Sequence, residues 1–492
     1  MSALSFRSTH SLHFWELFDD QRQLIMSGAL EGIYEPGVVN PGLPRANSTK
    51  PYWHINPHAY ANHNSPWPEQ PVDIAIIGTG ITGMALCRSL IAKRPDLKVV
   101  VLEARTLCSG ATGRNGGHIK TMLFSMWNER KHQFGIEEAI KISEFEQSHL
   151  EAIAAAVEED GADCDLVRTT GVEAYYDQTV FEKDLAALED IRVHAPHLAA
   201  LHTVHTDKEV LQRQMRLSKR CVGAITIPAG SVWPYKWISK VWENLIGNNK
   251  VNMQTNTPVK SIEDIDSGDF AIIKTPRGNI KARKVVHATN AWMGYLLPEM
   301  QPFISPVRVN VVHWAADKNG QSPLGTVPEY SIWYRYGRKD YDYLIQRSDG
   351  GIVTGRACTG RTTTGDDSVT DLSPHAHLRG FPFEAIANPK PDAATSIDHA
   401  WSGIVSFTQD GLPFIGHVPF AGRSHQFICG AYHATGMIKA FRSSQAAVSI
   451  LLGEQLPKDF PTSLLLTEER IRELRRSLDR GVYPVYRAVA KM

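Results

Sequence analysis

The sequence predicts an α/β protein in two parts: a parallel-stranded nucleotide domain whose pieces lie far apart in the chain, and a second domain built on an antiparallel sheet. Three observations predict it. A buried strand at residues 72–78 (VDIAIIG) runs into a helix at 81–93 and out into a second strand at 97–104 (LKVVVLEA); such a unit of about thirty residues is long enough for a right-handed parallel crossover. Between Ser305 and Gly360 the chain turns into short stretches, PVRVNVVHWA, SIWYRYG, YDYLIQ and GGIVTG, separated by Gly and Asp turns, the pattern of antiparallel strands. The last third returns to α/β character, where QFICGAYHATG ends in glycine ahead of a helical stretch at 437–452.

Ahead of the first unit stand a short helical candidate at 12–30 and an arm at 41–70 rich in Pro, Asn and His. The arm has neither helical nor strand period and is expected to wrap over a folded body. Further on, 137–158 reads as one helix, and 170–176 and 224–228 as strands. This order assigns residues 1–70 to a helix and arm, and 71–130, 220–300 and 400–460 to the discontinuous nucleotide domain. The substrate domain takes 131–219 and 301–399, and a helical tail 461–492.

Composition excludes several classes. Lys+Arg and Asp+Glu balance at 52 each in 492 residues, so there is no basic surplus for a nucleic-acid partner. No run approaches the roughly 18 apolar residues of a membrane-spanning helix, and the N-terminus lacks the apolar core of a secretion signal. The final Ala490, Lys491 and Met492 are not a peroxisomal tripeptide, so a cytoplasmic location is expected. Six cysteines (Cys87, Cys108, Cys164, Cys221, Cys358 and Cys429) are scattered without a CxxC pair, which fits a reducing compartment and argues against a disulfide framework. His54, His58 and His63, and again His375 and His377, stand among residues that read as loops, and no metal site is expected.

The chemistry begins at Gly78, Gly80 and Gly83, a GxGxxG set where strand gives way to helix. The first glycine permits the tight turn, the second a close approach of pyrophosphate, the third close packing of helix on strand. The helix N-terminus adds free N–H groups and a positive dipole end for the phosphates. Glu103 ends the next strand, where a carboxylate accepts bonds from ribose hydroxyls and disfavours a phosphorylated ribose. These residues alone do not separate NAD from FAD. The loop that follows, CSGATGRNGGHI from Cys108 to Ile119, is too rich in glycine for a packed helix start and suits a backbone passing close to a second large ring system.

The run LEARTLCSGATGRNGGHI, with GTGITG before it, resembles the FAD-binding opening of the D-amino-acid oxidase and sarcosine oxidase (DAO) superfamily. It is most similar to a fungal branch of amine-oxidising members whose pattern is SGATGRNGG. VVHATNAWM (285–293) resembles that superfamily's third nucleotide-domain strand, and ISPVRV (304–309) the strand into its substrate domain. WSGIVSFTQDGLPFIG (401–416) resembles the returning segment, and GAYHATGM (430–437) the glycine-rich turn at the flavin's far edge. The resemblance implies a discontinuous Rossmann-like FAD-binding domain of glutathione-reductase type plus a substrate domain on an antiparallel sheet. It implies FAD-dependent oxidation of a C–N bond in a small amine or amino acid by hydride transfer to flavin, with O2 reduced to hydrogen peroxide. The residues it assigns to FAD are Gly78, Gly80, Ile81, Thr82 and Gly83; Glu103, Ala104 and Arg105; Ser109, Gly110, Ala111, Thr112, Arg114, Asn115, Gly116, Gly117 and His118; Val259; Ala288, Thr289 and Asn290; and Gly430, Ala434, Thr435, Gly436 and Met437.

The chain also departs from the family. Its last turn has His433, Ala434 and Thr435 where relatives more often carry Ser, Gly and His. Some family oxidases place a Lys, thought to help oxygen react, on the strand matching 351–355; here stand Val353 and Thr354, with Arg356 the nearest base. Relatives that attach FAD covalently use a Cys near the position of Val405, or a His in the first loop from which His118 is offset; FAD is therefore expected to be held non-covalently. On the substrate side, the aromatic stretch 330–336 with Tyr341 and Tyr343 is the candidate wall, and Tyr334, Arg335 and Tyr336 the candidate pocket residues. Plain cross-strand packing accounts for the same pattern. Tyr432 and His433 are the catalytic candidates because their turn abuts the cofactor, whereas Lys439 and Arg442 read as solvent-facing. Three functions stay open: an amine or amino-acid oxidase with a small-molecule substrate, a dehydrogenase or tailoring enzyme with another electron acceptor and a larger amine, and a non-catalytic dinucleotide-binding scaffold.

Overall fold

The computed structural model describes residues 39–265, 269–325, 331–337, 340–356, 362–390 and 396–480. The helix expected at 12–30, and Tyr330 of the aromatic stretch, lie outside the described residues.

The strand–helix–strand unit forms as Val72–Ile77, Ile81–Lys93 and Val99–Leu102. The two strands pair in parallel and are apolar on both faces, as a strand covered by helices on both sides requires. On its other side Val72–Ile77 pairs in parallel with Gly278–His287, which pairs in turn with Gln426–Gly430. Asn252–Gln254 extends the sheet beyond Val99–Leu102, and Phe414–His417 closes the opposite edge in antiparallel sense. Neighbouring strands thus come from opposite ends of the chain, which is the expected discontinuous α/β fold. Helix Ala440–Leu452 shares one apolar core with Ile81–Lys93.

The second sheet has ten strands. Ile304–Trp314 pairs antiparallel with Ile397–Thr408 and with Ile352–Arg356, and Ser331–Arg335, Tyr341–Gln346 and Val167–Tyr175 continue outward. One pairing is parallel, Ser331–Arg335 with Val167–Tyr175. His118–Ile119, directly after the glycine-rich loop, pairs with Gly230 and Ser231 at the end of Gly223–Ser231. The loop is therefore strung between the two sheets.

Several elements differ from expectation. The helix expected at 137–158 is two, Ile136–Gln147 and His149–Glu159. The carbonyl of Phe145, at the break, accepts bonds from Ser148 Oγ (2.7 Å) and His149 Nδ1 (2.8 Å), a local competition with the helix ladder. His375 and His377 lie on helix Leu372–Ala385, not in a loop. Gly223–Ser231 and most of Ile397–Thr408 fall in ranges expected for the nucleotide domain, yet they pair in the second sheet. Cys87, Cys108, Cys164, Cys221 and Cys429 are buried and unpaired. Among the described residues no helix is long and apolar enough to cross a membrane.

Candidate active site

A cavity of about 320 Å³ opens at the carboxyl ends of the parallel strands and runs on toward the second sheet. Its nucleotide end is walled mainly by backbone. Gly78 has φ +112°, and a Cβ there would stand 2.7 Å from the carbonyl oxygen of Ala288. A Cβ on Gly83 would collide with the carbonyl oxygen of Gly78, so helix and strand approach as closely as they do only because it has none. The free N–H of Ile81 at the helix start donates to Thr112 Oγ1 (3.1 Å), tying the glycine-rich loop onto the helix N-terminus. Glu103 accepts from the Thr79 N–H (3.1 Å) and hydroxyl (2.7 Å) on one oxygen and from the Arg105 N–H (3.0 Å) on the other. The first oxygen thus has both lone pairs engaged, and the second, Oε1, keeps one for a further donor. Thr289 Oγ1 and Trp292 Nε1 are buried among the lining residues with no partner in the described protein, the signature of polar atoms that await a ligand.

Most of the residues assigned to the cofactor come together in this lining: Gly78 to Thr82, Glu103 to Arg105, the loop from Ser109 to His118, Val259, Ala288 to Asn290 and Ala434 to Met437. Three stand behind it. Gly83 packs on Gly78, Gly117 (φ +78°) against Val232, and Gly430 against Met293 and Asn290.

The far end is walled by side chains, and the expected pocket residues are displaced by one strand position. On Ser331–Arg335 it is Trp333 that lines the cavity, with Tyr341 and Tyr343 of the neighbouring strand. Tyr334 faces the opposite side of the sheet and packs on Phe381 (5.5 Å). Tyr336 lies past the strand end against Tyr176 (5.5 Å) and His377 (6.0 Å). Arg335 shares the face of Trp333, but its Nε donates to Glu173 (2.5 Å) and it is 2% exposed, outside the lining. Glu173 also accepts from Lys120 Nζ (3.0 Å), which sits 4.0 Å from the Trp333 ring centroid. Burial pulls the Lys120 ammonium down to about 8 despite Glu173. Burial alone would raise the Glu173 carboxyl, but Arg335 and Lys120 outweigh it and hold the group below its ordinary value.

Lys439, read as solvent-facing, is buried and shares Glu146 with Arg130, at 2.8 and 2.6 Å; Lys439 and Arg130 both line the cavity. A lysine at the start of an otherwise amphipathic helix gives no sign in the sequence of a carboxylate on Ile136–Gln147. Arg442 is partly buried and bonds Asp459 (2.5 Å). Lys120 and Trp333 had no motif to announce them; strand alternation from His118, once placed, is the only cue.

His118 lines the cavity with Nδ1 bonded to Ser331 Oγ (2.6 Å), and burial followed by the charge of Lys120 pushes the imidazole down to about 3, which leaves it neutral. Val405, at the position expected for a covalent thiol, also lines the cavity. The two catalytic candidates separate. The Tyr432 hydroxyl is bonded to Thr82 Oγ1 (2.9 Å) and lies 3.4 Å from Cys429 Sγ, so it braces the nucleotide helix and does not reach the far chamber. His433 Nδ1 accepts the Thr408 N–H (3.1 Å), which places the proton of the neutral ring on Nε2. Ala431, His433 and Ala434 all hold positive φ (61°, 50° and 59°), a conformation that non-glycine residues adopt at a cost and that clusters at functional turns. Away from the cavity, His313 Nδ1 bonds Asp398 (2.6 Å) beside His399, a potential metal-ligand group with no spacing motif to announce it.

The sequence profile of the FAD-dependent oxidoreductases, the DAO family, matches residues 73–456. The chain belongs to this family. FAD is its cofactor, and the open lone pair on Glu103 Oε1, the glycine cradle and the unpartnered Thr289 and Trp292 fit that group. The chain is similar to the probable oxidoreductase OrdL of Rhizobium meliloti (strain 1021), 25% identical over 423 residues that cover 81% of this chain and 90% of that one. In fold it is similar to glycine oxidase from Geobacillus kaustophilus, with a TM-score of 0.64 at 20% identity over 81% of this chain and 99% of that one. L-proline dehydrogenase from P. horikoshii matches with a TM-score of 0.62 at 21% identity over 84% and 99%. These DAO relatives are bacterial and archaeal, which corrects the fungal branch expected from SGATGRNGG. The loop's small residues answer to space and not to lineage: a Cβ on Gly116 would enter the Tyr343 ring, and one on Gly113 would meet His54.

Proposed function

We propose that this DAO-family enzyme oxidises the C–N bond of a small amine or amino acid. The observation that carries the proposal is the continuity of the cavity: the glycine-walled nucleotide end runs without a partition into a chamber of Trp333, Tyr341, Tyr343 and His118, with the His433 turn at the junction. When bound, FAD supplies the two-electron acceptor for a hydride from the carbon bearing the amine. The chain's own residues hold that carbon in place, exclude water and keep the amine unprotonated. The aromatic wall serves the first two tasks. The lining cations Lys120, Arg130 and Lys439 serve the third: with two cations on Glu173 and two on Glu146, each cluster keeps an excess positive charge that disfavours an ammonium. His433, on the strained turn at the junction of the two ends, is the residue we assign to the substrate side, and Tyr432 to the cofactor side.

The relatives named as glycine oxidase and L-proline dehydrogenase support an amino-acid substrate, one that carries a carboxylate. We take oxygen as the electron acceptor and FAD as non-covalently held. The division into nucleotide, substrate, arm and tail segments belongs to the same proposal, as does a cytoplasmic location, which the unpaired buried cysteines support. The test is anaerobic bleaching of the flavin absorbance against a panel of amines, amino acids, hydroxy acids and alcohols, followed by peroxide detection against a dye acceptor. Bleaching by hydroxy acids or alcohols alone would sink the C–N assignment and leave only the FAD fold. Bleaching by an amine without peroxide would move the enzyme to the dehydrogenases.

A further inference from the structure

We propose that the arm ahead of the family match binds the cofactor in its own right: residues 41–61 form a strap that closes the outer wall of the nucleotide end and sets the rate at which FAD leaves. The DAO profile begins at residue 73, yet Gly42, Leu43 and Pro44 line the cavity. The glycine-rich loop and the segment that leads into it from Arg105 are sewn to this strap at four places. Trp53 Nε1 donates to the Asn115 carbonyl (2.6 Å), and the Leu107 N–H to the Ala61 carbonyl (2.9 Å). Arg105 Nη1 donates to the Arg45 carbonyl (3.1 Å), and Arg114 donates to Ser48 Oγ (2.7 Å) and Thr49 Oγ1 (3.1 Å).

The body has been shaped to receive it. A Cβ on Gly365 would collide with the carbonyl of Pro41, and one on Gly113 with the His54 ring. Asp367, with no exposed surface, is the latch. It takes Arg105 Nη1 at 2.9 Å and stands 3.5 Å from Arg114 Nε, while its carbonyl accepts the Thr49 N–H (2.8 Å). Thr49 Oγ1 in turn accepts the Ser402 N–H (3.0 Å), so the strap is tied to the second sheet as well as to the loop.

The strap's grip is uneven, and this is what makes it a gate and not a buttress. Tyr52 and Trp53 are buried anchors, whereas Arg45, Ala46, Asn47 and Lys50 are exposed. The stretch from Gly42 to Lys50 is held mainly by hydrogen bonds to the loop and to Asp367, with little apolar surface beneath it. It can lift from the anchor without opening a core, at the expense of a few bonds that water replaces.

The experiment measures FAD release from the holoenzyme, by the rise of free-FAD fluorescence after dilution, for the wild-type protein, Thr49→Val and Gly365→Ala. Neither residue lines the cavity, so neither variant removes an atom from the surface that faces FAD, and Arg114 keeps its bonds to Ser48 and the Ser402 carbonyl in Thr49→Val. Release about tenfold faster in Thr49→Val, and faster again in Gly365→Ala, is the expected result, with the visible spectrum of the bound flavin unchanged. Thr49→Val is the milder variant and keeps the test alive if Gly365→Ala does not fold. Release within twofold of wild type in Thr49→Val, with a lowered unfolding temperature, would reduce the arm to a stabilising wrap and overturn the proposal. FAD binding itself rests on the family match, so that outcome would leave the cofactor assignment standing.

Discussion

At the nucleotide end of the cavity the wall is backbone, brought close at Gly78 and Gly80 and, behind them, Gly83 by the absence of side chains; at the far end it is side chains, an aromatic set beside Lys120, Arg130 and Lys439, whose charges are held in threes from behind, Lys120 and Arg335 on Glu173, and Arg130 and Lys439 on Glu146. The two constructions fail in different ways. A backbone wall has no slack where carbonyl faces Cα, and at Gly78 or Gly83 one methyl group closes it. A charged wall tolerates changes of shape but leaves an unpaired buried ion when one member is removed.

The sharpest way to break the comparison is Gly83→Ala, which should abolish FAD binding, read as loss of the visible flavin spectrum in the purified protein. Gly80→Ala should keep it, because the added Cβ would meet only the movable Thr112 hydroxyl at 2.9 Å, whereas Gly80→Val should not. Equal FAD content in Gly83→Ala and wild type would show that the first wall has slack after all. Next comes Glu173→Gln, which leaves two buried cations without their carboxylate and should cost about 3–5 kcal/mol in denaturant unfolding. A loss under about 1 kcal/mol would mean that water reaches the cluster.

The same cluster sets a pH dependence. Lys120 is held near 8 in the folded protein, below its value near 10.4 in an unfolded chain. The folded state therefore binds that proton less tightly, and stability should rise as pH climbs from about 8 to 10, by on the order of 3 kcal/mol. Lys120→Met should remove the rise; its persistence would assign it to another group. His433→Asn should slow anaerobic flavin reduction about tenfold, roughly 1.4 kcal/mol of barrier, with FAD content intact. An unchanged rate would leave His433 as a packing residue. The smallest effect is Ala434→Gly, which relieves a left-handed backbone at φ +59° and should change stability by under about 1 kcal/mol; a large loss would show that the methyl group packs on the cofactor side.

The first wall was legible in the sequence because its rules are local: strand, glycine turn, helix and terminal acid follow one another within 32 residues, from Val72 to Glu103. The second was not, because its members meet only after folding. Glu173 lies 162 positions from its partner Arg335, and Glu146 meets Lys439 across about three fifths of the chain. The aromatic wall was visible as a stretch but not as a face, and Trp333 replaced Tyr334 and Tyr336 because a shift of one strand position reverses which side chains look inward. Similarly, strand 223–231 reads like any other buried strand, and only its partner tells which sheet takes it.

The buried cysteines have a consequence for the chemical lifetime of the enzyme. Thiolate, not thiol, is the form that peroxide oxidises readily. Burial drives the thiols of Cys221 and Cys429 up to about 11 and that of Cys164 to about 12, and raises those of Cys87 and Cys108 further still. Cys108 opens the cofactor loop and Cys429 directly precedes the His433 turn, so both stand near the place where the proposed oxygen acceptor would be reduced. Among the described residues, then, peroxide made under that proposal would find no cysteine held as a ready thiolate beside the chamber.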